Sequence, residues 1–293
     1  MRSPLTSVAA IHDLSGIGRT SLTVVIPVLA TMGIQVCPLP TAVLSSQTGG
    51  FDDFSFVDLS HAMPDFLDHW DRLHVTFDAV YSGFLGSPAQ AALVERCINT
   101  HLAKDGLAVV DPVLGDNGVF DPTITVEMVD AMRHLISCAH CITPNITEAA
   151  FLLGEEYPGD SLEIPRLKEW LLRLADMGPE MVIITSVPLR KTAHQSAVAA
   201  YQKSRNLFWQ VACDYIPAFY PGTGDTFTSV VTGSLLQGDS LPVAIDRAVH
   251  FVTLGIRATF GHDLPTRNGI LLERVLQALC LPSTTSTYTL LDE

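Results

Sequence analysis

Short apolar runs recur along the chain and alternate with segments of helical periodicity. Several of these runs are almost continuously hydrophobic, as expected of strands that are buried on both faces of a parallel sheet. The predicted strands are 7–11, 34–39, 79–84, 106–113, 138–143 and 181–186, and the predicted helices between them are 20–32, 88–104, 147–153 and 165–176. This alternation predicts an α/β fold with three α/β/α layers, in which helices flank a mostly parallel central sheet.

The last third of the chain predicts a β-hairpin followed by two helices. Two β-rich runs flank the turn at 203–206, and helices are expected over about 225–237 and 242–256. No linker or low-complexity segment divides the chain, so we expect residues 1–280 to form a single domain. Residues 281–293 are polar and are expected to form a loose tail.

Polar clusters follow six of the predicted strands. They are HDLSGIG, SSQTGG, SGFLGS, DPVLGDNG, TPNITE and TS, which begin at residues 12, 45, 82, 111, 143 and 185. In open α/β sheets, ligands lie outside the carboxyl ends of the strands. The concurrence of six clusters at such ends therefore predicts a binding site at one rim of the sheet.

Composition excludes some classes of partner. The formal net charge is −14, which disfavours nucleic acid because phosphate backbones require basic surfaces. No uninterrupted apolar run reaches the roughly 18 residues of a membrane span, and the first 16 residues do not have the pattern of a signal peptide. With six scattered cysteines that we expect to be reduced thiols, the predicted location is the cytoplasm.

The stretch GTGDTF at 222–227 places a carboxylate at the start of a predicted helix. Backbone N–H groups at a helix N-terminus bind anions, which Asp225 would repel. One interpretation is that Asp225 only caps the helix. The other is that Gly222, Thr223 and Gly224 form an anion hole for a phosphoryl group in transfer, while Asp225 takes the proton of the attacking hydroxyl.

Three acidic residues at neighbouring strand ends form a candidate cation site. Asp111 ends an apolar strand, Asp116 follows in a glycine-rich loop, and Glu148 begins a helix. Magnesium favours a few carboxylates together with waters and substrate phosphates. The alternative for Glu148 is structural, because Asn145 and Glu148 have the spacing of a capping box.

In combination, these motifs resemble the ribokinase-like superfamily and, more closely, the pyridoxal/pyridoxine/pyridoxamine (vitamin B6) kinases. The motifs SSQTGG, YSGFLGS, DPVLGDNG, ITPNITEAAFLLG, VIITS and GTGDTF follow the order and spacing of that family over about residues 7–260. The resemblance implies a ribokinase-like fold, a homodimer, and ATP-dependent transfer to the 5′-hydroxymethyl group of a B6 vitamer for pyridoxal 5′-phosphate salvage. It also implies Mg²⁺ and a monovalent cation, K⁺ or Na⁺.

The resemblance assigns roles by motif position. Asp225 matches the catalytic base, and Gly222, Thr223 and Gly224 match the anion hole. Asp111 and Glu148 match the acids that hold magnesium through water. The remaining residues expected at the nucleotide and its metal are Asp116, Asn145, Thr185 and Ser186, and those expected at the vitamer are His12, Asp13, Thr48 and Phe84.

Departures from the family keep other functions open. HDLSGIG is closer to the hydroxymethylpyrimidine kinases of thiamine metabolism, whereas Asp225 and the Gly115–Asn117 loop favour the B6 kinases. A sugar or nucleoside kinase would share GTGD but not the DPVLGD and TPNITE pair. A non-catalytic vitamer-binding protein on the same fold is the remaining alternative, and the intact Asp225 argues against it.

Overall fold

A ten-stranded sheet forms the centre of this computed structural model, which describes residues 5–188, 195–214, 216–281 and 286–291. The strand order is β12-β11-β10-β9-β8-β5-β4-β1-β2-β3, and β6 pairs with β7 in a separate two-stranded sheet. The strands are β1 Ser7–Ser15, β2 Gln35–Leu44, β3 Phe56–Asp58, β4 Phe77–Ser82, β5 Leu102–Val110, β6 Gly115–Asp116, β7 Val119–Phe120, β8 Cys141–Ile142, β9 Met181–Pro188, β10 Gln195–Gln202, β11 Leu207–Asp214 and β12 Thr289–Leu290. The six strands from β2 to β9 in this order are parallel, and antiparallel strands extend both edges.

Helices cover both faces of the sheet. They are α1 Leu22–Thr31, α2 Met63–Leu73, α3 Pro88–His101, α4 Val126–Ile136, α5 Ile146–Leu153, α6 Ile164–Asp176, α7 Thr223–Leu236 and α8 Leu241–Thr259. Helices α2 to α6 pack on one face, and α1, α7 and α8 pack on the other. None of the helices in the described part of the chain is both long and apolar enough to cross a membrane.

Strand β1 illustrates why the central runs are almost continuously apolar. Val8 and Ala10 belong to the core beneath α1, α7 and α8, whereas Ala9 and Ile11 belong to the core on the opposite face. All four side chains are fully buried, because successive residues of a strand point to opposite faces and both faces are covered. The predicted α/β/α class is thereby confirmed.

Several predicted element boundaries were wrong by a few residues. Strand β5 begins at Leu102, where we predicted a helix up to residue 104, and β8 contains only Cys141 and Ile142. Beyond β8 the chain keeps a single bridge between Asn145 and Thr185, because Pro144 has no N–H to donate to a neighbouring strand. Strand β1 instead runs on past His12 with a shift in register.

The C-terminal tail is ordered over residues 286–291, which contradicts the expectation that it is loose. Thr289 and Leu290 add β12 to the edge of the sheet, and Thr287 donates two hydrogen bonds to Asp246. Leu291 is buried in the core on the α2–α6 face of the sheet. The division into a domain of residues 1–280 and a separate tail stays a prediction.

Leu291→Ala is therefore expected to lower the free energy of unfolding by about 2–5 kcal/mol, as removal of a buried leucine side chain does. The matched control is Leu290→Ala, since that side chain is 45% exposed and its loss should change stability by no more than about 0.5 kcal/mol. Denaturant unfolding of both variants measures the difference. Equal stability of the two variants would mean that the tail does not dock as described.

Candidate active site

The carboxyl ends of the parallel strands open into a cavity of about 1430 Å³. All but one of the residues predicted for the site line this cavity. They are Asp13, Thr48, Phe84, Asp111, Asp116, Asn145, Glu148, Thr185, Ser186, Gly222, Thr223, Gly224 and Asp225. The sheet topology brings them together, because β1, β4, β5, β8 and β9 all end at this rim.

His12 is the exception. Its side chain is completely buried beneath the cavity, against Tyr81 of the neighbouring strand β4. The prediction that His12 contacts a vitamer directly is not supported by this placement, because no part of the ring reaches the cavity. Asp13 lies at the cavity, whereas the side chain of His12, the preceding residue of β1, lies in the protein interior.

The residues predicted to form an anion hole lie at the N-terminus of α7. Gly222 precedes the helix with φ +81°, and its carbonyl accepts the first intrahelical bond, from Thr226 N at 3.0 Å. The N–H groups of Thr223, Gly224 and Asp225 lie in the first turn, where a helix provides no acceptors. These donors are therefore available to an anion in the cavity.

Gly222 and Gly224 of the GTGD motif differ in the space around the position of a Cβ atom. A Cβ on Gly222 would lie 1.8 Å from the main-chain oxygen of Arg19, so this residue is required by the packing of the protein itself. A Cβ on Gly224 would meet nothing within 4 Å. The space above Gly224 is thus open to a ligand, which is what an anion hole requires.

Asp225 does not cap its own helix, so the capping interpretation is wrong. No side chain makes a capping hydrogen bond at the start of α7. Instead, Asp225 Oδ2 accepts from Ser21 N at 2.8 Å, and Oδ1 lies 4.0 Å from His12 Nδ1. Ser21 has φ +51°, a conformation uncommon in residues other than glycine, and this conformation presents its N–H to Asp225.

Burial raises the pKa of Asp225 to about 8, and the negative charges of Asp111 and Asp13 add to the effect. The hydrogen bond from Ser21 opposes it but is outweighed. Without a bound ligand, the protonated form of Asp225 is therefore favoured at neutral pH. A cation bound nearby would lower this pKa and restore the carboxylate that a general base requires.

Asp111 and Glu148, which are predicted at the nucleotide and its metal, are also buried, whereas Asp116 is exposed on the loop after β5. Burial raises the pKa of Asp111 to about 7 and that of Glu148 well above its usual range, and partial desolvation together with the charge of Asp121 raises the pKa of Asp116 to about 6. None of the described residues that line the cavity is Lys or Arg, and Arg190 and Lys191 lie outside the described residues. Such a cluster of carboxylates is costly unless a cation accompanies the ligand.

Glu148 has the structural role considered for it from sequence, and its role at a cation remains a prediction. With Asn145 it forms a capping box, in which Oε2 accepts from Asn145 N at 2.7 Å. Its Oε1 also accepts from Leu114 N at 3.1 Å, which holds the glycine-rich loop after β5 against α5. Because both oxygens accept from main-chain donors, a glutamine could satisfy only one of them.

Asn145 and the end of β9 shape the same wall of the cavity. The Asn145 amide donates to Gly115 O at 2.9 Å and to Asp116 Oδ1 at 3.0 Å. Thr185 N donates to Pro144 O at 2.9 Å, and Ser186 has φ +56°. Thr185 and Ser186 line the cavity together with Asp111, Asp116 and Glu148.

Asp13 and Thr48, which are predicted at the vitamer, also line the cavity. Asp13 accepts hydrogen bonds from the hydroxyls of Ser15 and Ser21, and burial raises its pKa. Thr48 is exposed on a loop that the buried side chain of Gln47 ties to Arg267 O at 3.0 Å. Phe84 is half-buried and lines the same cavity.

Sequence reasoning missed the apolar wall of the cavity. Val249, Val252 and Ile256 of α8 and the loop residues Pro217 and Phe219 line it. An apolar stripe on a helix is ordinarily a core-facing stripe, so the pattern of α8 carries no signal for a ligand. This wall would suit a flat, weakly polar group.

Among the described residues, no group of three or more His, Cys, Asp or Glu side chains is arranged to hold a metal ion directly. A magnesium ion at Asp111 and Glu148 would therefore take its remaining ligands from water and substrate, as Mg²⁺ commonly does.

Comparison with known proteins gives consistent matches along the chain. The family profile of phosphomethylpyrimidine kinase matches residues 26–268. A protein of Bacteroides thetaiotaomicron, provisionally described as a phosphomethylpyrimidine kinase, is 53% identical, with a TM-score of 0.95 over 99% of both chains. A second crystal form of it was solved with pyridoxal; there the identity is 54% and the TM-score 0.94, over 98% of this chain and 99% of that chain.

Two further relatives carry the names of B6 kinases. Pyridoxal kinase of Lactobacillus plantarum is 33% identical with a TM-score of 0.85, over 94% of this chain and 97% of that chain. The pyridoxine/pyridoxal/pyridoxamine kinase of Bordetella avium is 28% identical over 188 residues, which are 62% of this chain and 60% of that enzyme. The chain therefore belongs to the phosphomethylpyrimidine kinase family, and its similarity to the vitamin B6 kinases confirms the resemblance that its motifs predict.

Proposed function

We propose that the protein is an ATP-dependent kinase that phosphorylates the 5′-hydroxymethyl group of a vitamin B6 vitamer. The observation that carries this proposal is the start of α7, where the Asp225 carboxyl group lies beside main-chain N–H groups and the open space above Gly224. A base next to an anion hole is the arrangement that transfer of a phosphoryl group to an alcohol needs. The relatives named as pyridoxal kinases and the related structure with pyridoxal support the choice of acceptor.

Asp225 acts on the acceptor alcohol. As the alcohol oxygen forms its bond to the γ-phosphorus, its proton passes to an Asp225 oxygen. The bond between the γ-phosphorus and the bridging oxygen breaks, and ADP leaves with that electron pair. The first-turn N–H groups of α7 stabilise the negative charge on the transferred group.

ATP is proposed to lie between α7 and the acidic wall, with its phosphates near Thr185, Ser186 and Asn145 and its base against the apolar face of α8. Asp111 and Glu148 would hold Mg²⁺ through water, with Asp116 nearby. The fit rests on their burial without a basic partner among the described lining residues. When bound, Mg²⁺ supplies positive charge that balances both the phosphates and the carboxylates.

The vitamer is proposed to lie on the side of Asp13, Thr48 and Phe84, which places its hydroxymethyl group toward Asp225. The requirement for K⁺ or Na⁺, the homodimer and the cytoplasmic location remain predictions from the sequence. Molecular mass in solution would test the homodimer, and a titration of each monovalent ion would test the cation.

An assay that couples ADP release to acceptor tests the function. Pyridoxal, pyridoxine, pyridoxamine and hydroxymethylpyrimidine are compared at saturating ATP and Mg²⁺. We expect at least one B6 vitamer to be the best substrate by kcat/KM. Binding of a vitamer without ADP release would instead indicate a carrier.

Hydroxymethylpyrimidine is the acceptor of the second candidate function. The name of the matching family profile and the description of the Bacteroides protein favour it, as does the HDLSGIG stretch after the first strand. A kcat/KM for hydroxymethylpyrimidine that exceeds those of all three vitamers would replace the first proposal with this one.

Asp225→Asn is expected to reduce kcat by roughly 10²–10⁴-fold, the usual cost of losing a general base. The KM for ATP should change little. The melting temperature near pH 7 should remain close to that of the parent, since an asparagine oxygen can still accept from Ser21 N and resembles the protonated carboxyl that is favoured without a bound ligand. Steady-state kinetics and thermal unfolding measure these effects. Retention of most of the turnover would show that Asp225 is not the base.

Alanine at the two glycines should separate packing from ligand binding. Gly222→Ala is expected to lower stability by about 1–3 kcal/mol or more, because of its positive φ and the clash with Arg19 O. Gly224→Ala should leave the melting temperature unchanged or slightly raised but should weaken kcat/KM for ATP, because the methyl group occupies the space of the phosphoryl group. Full activity of Gly224→Ala would argue against a phosphate at this position.

A further inference from the structure

His12 lies in the protein interior next to Asp225, where it could orient the Asp225 carboxyl group. It lies on β1, on the face of the sheet covered by α7, and its ring meets the ring of Tyr81 edge to face with centroids 4.4 Å apart. A Cβ on Gly83 would lie only 2.3 Å from His12 Nδ1. The ring can therefore occupy this position only because residue 83 is glycine.

Neither ring nitrogen of His12 makes a hydrogen bond of full geometry in the described part of the chain, although the Tyr81 main chain lies close enough to favour a proton on the ring. A buried polar atom without a partner is destabilising, and such atoms in native proteins commonly have a functional reason. Burial lowers the pKa of His12 to about 3, and the nearby Tyr81 main chain offsets only part of this effect. The ring is therefore neutral and carries a single N–H.

The position of that N–H follows from the neighbouring carboxyl group. Nδ1 faces Asp225 Oδ1 at 4.0 Å. A lone pair on Nδ1 would repel the carboxylate, whereas a proton on Nδ1 would be attracted to it, so the Nδ1–H tautomer is favoured once Asp225 is ionised. Hydrogen bonds of catalytic groups are often long in empty sites and shorten when substrate binds.

Few groups around Asp225 stabilise its ionised form. The charges of Asp13 from β1 and Asp111 after β5 oppose its ionisation, and Tyr81 from β4 lies nearby. Ser21 N binds Oδ2, and His12 Nδ1 is the donor that faces Oδ1. Each carboxylate oxygen has two lone pairs, so both donors leave room for the proton of the substrate.

We propose that His12 is a positioning residue for the phosphoryl-transfer reaction: its Nδ1–H donates to Asp225 Oδ1 in the filled site and fixes the carboxylate against the acceptor alcohol. This inference rests on the proposed function. It accounts for the burial of a histidine without well-formed hydrogen bonds at its two ring nitrogens, for the glycine at 83, and for the absence of His12 from the cavity surface. A purely structural histidine would be expected to have well-formed hydrogen bonds at its ring nitrogens.

The test compares His12→Asn with His12→Gln. The asparagine amide can reach the position of Nδ1, whereas the glutamine amide reaches that of Nε2, so both variants keep a polar side chain but only one keeps the donor near Asp225. We expect His12→Asn to retain most of the kcat. His12→Gln should lose about 10- to 100-fold, the cost of a displacement of about 1 Å at a reacting group, with KM for ATP and vitamer nearly unchanged.

The same pair is then measured with Asp225→Asn in the background. If His12 acts through Asp225, the two double variants should have equal kcat, because residues that act as one unit are not additive. Equal loss in both His12 variants, or the same asparagine-to-glutamine difference in both backgrounds, would overturn the inference. Failure of Asp225→Asn itself to slow the reaction would instead count against the proposed base, which separates the two outcomes.

Discussion

The burial of several carboxyl groups at one rim of the sheet is the constraint on which the rest of the site depends. Asp13, Asp111, Glu148 and Asp225 all lie at the carboxyl ends of strands or at the first turn of a helix, and burial raises the pKa of each. Water would solvate these charges far better than the protein does. The folded protein therefore carries an electrostatic cost that a bound cation would relieve.

Main-chain donors limit that cost without removing it. Ser21 N supports Asp225, and the N–H groups of Leu114 and Asn145 support Glu148. The same principle operates at the start of α7, where unsatisfied N–H groups face the cavity. The cavity therefore offers carboxylates to a cation and N–H groups to an anion, which together are the two requirements of a metal–nucleotide complex.

The strand–helix alternation and the polar clusters were sufficient to predict the layers and the rim, and all of the predicted site residues except His12 line the cavity. They succeeded because parallel strands must place their carboxyl ends at one edge. They failed for His12, because the sequence does not show which of two successive residues at a strand end faces the cavity and which faces the core. They also failed for the apolar face of α8, because the same pattern is expected of a helix that packs on the core. They failed for Leu291 because a single apolar residue in a polar tail does not show whether the tail docks.

We predict that the buried carboxyl groups at the rim lower the free energy of unfolding until a cation binds. A carboxyl group whose pKa is raised in the folded state stabilises the fold below its unfolded pKa of about 4, and this contribution is lost as pH rises through the folded value, about 7 for Asp111. The direct measurement is the melting temperature of the ligand-free protein from pH 5 to pH 8.5, for the parent, for Asp111→Asn and for the exposed control Asp176→Asn. We predict that the melting temperature falls with rising pH in the parent and the control, falls less in Asp111→Asn, and is restored most strongly at high pH by Mg²⁺ with ATP. A decline of equal steepness in all three proteins, or equal stabilisation by Mg²⁺ and ATP at every pH, would contradict the account.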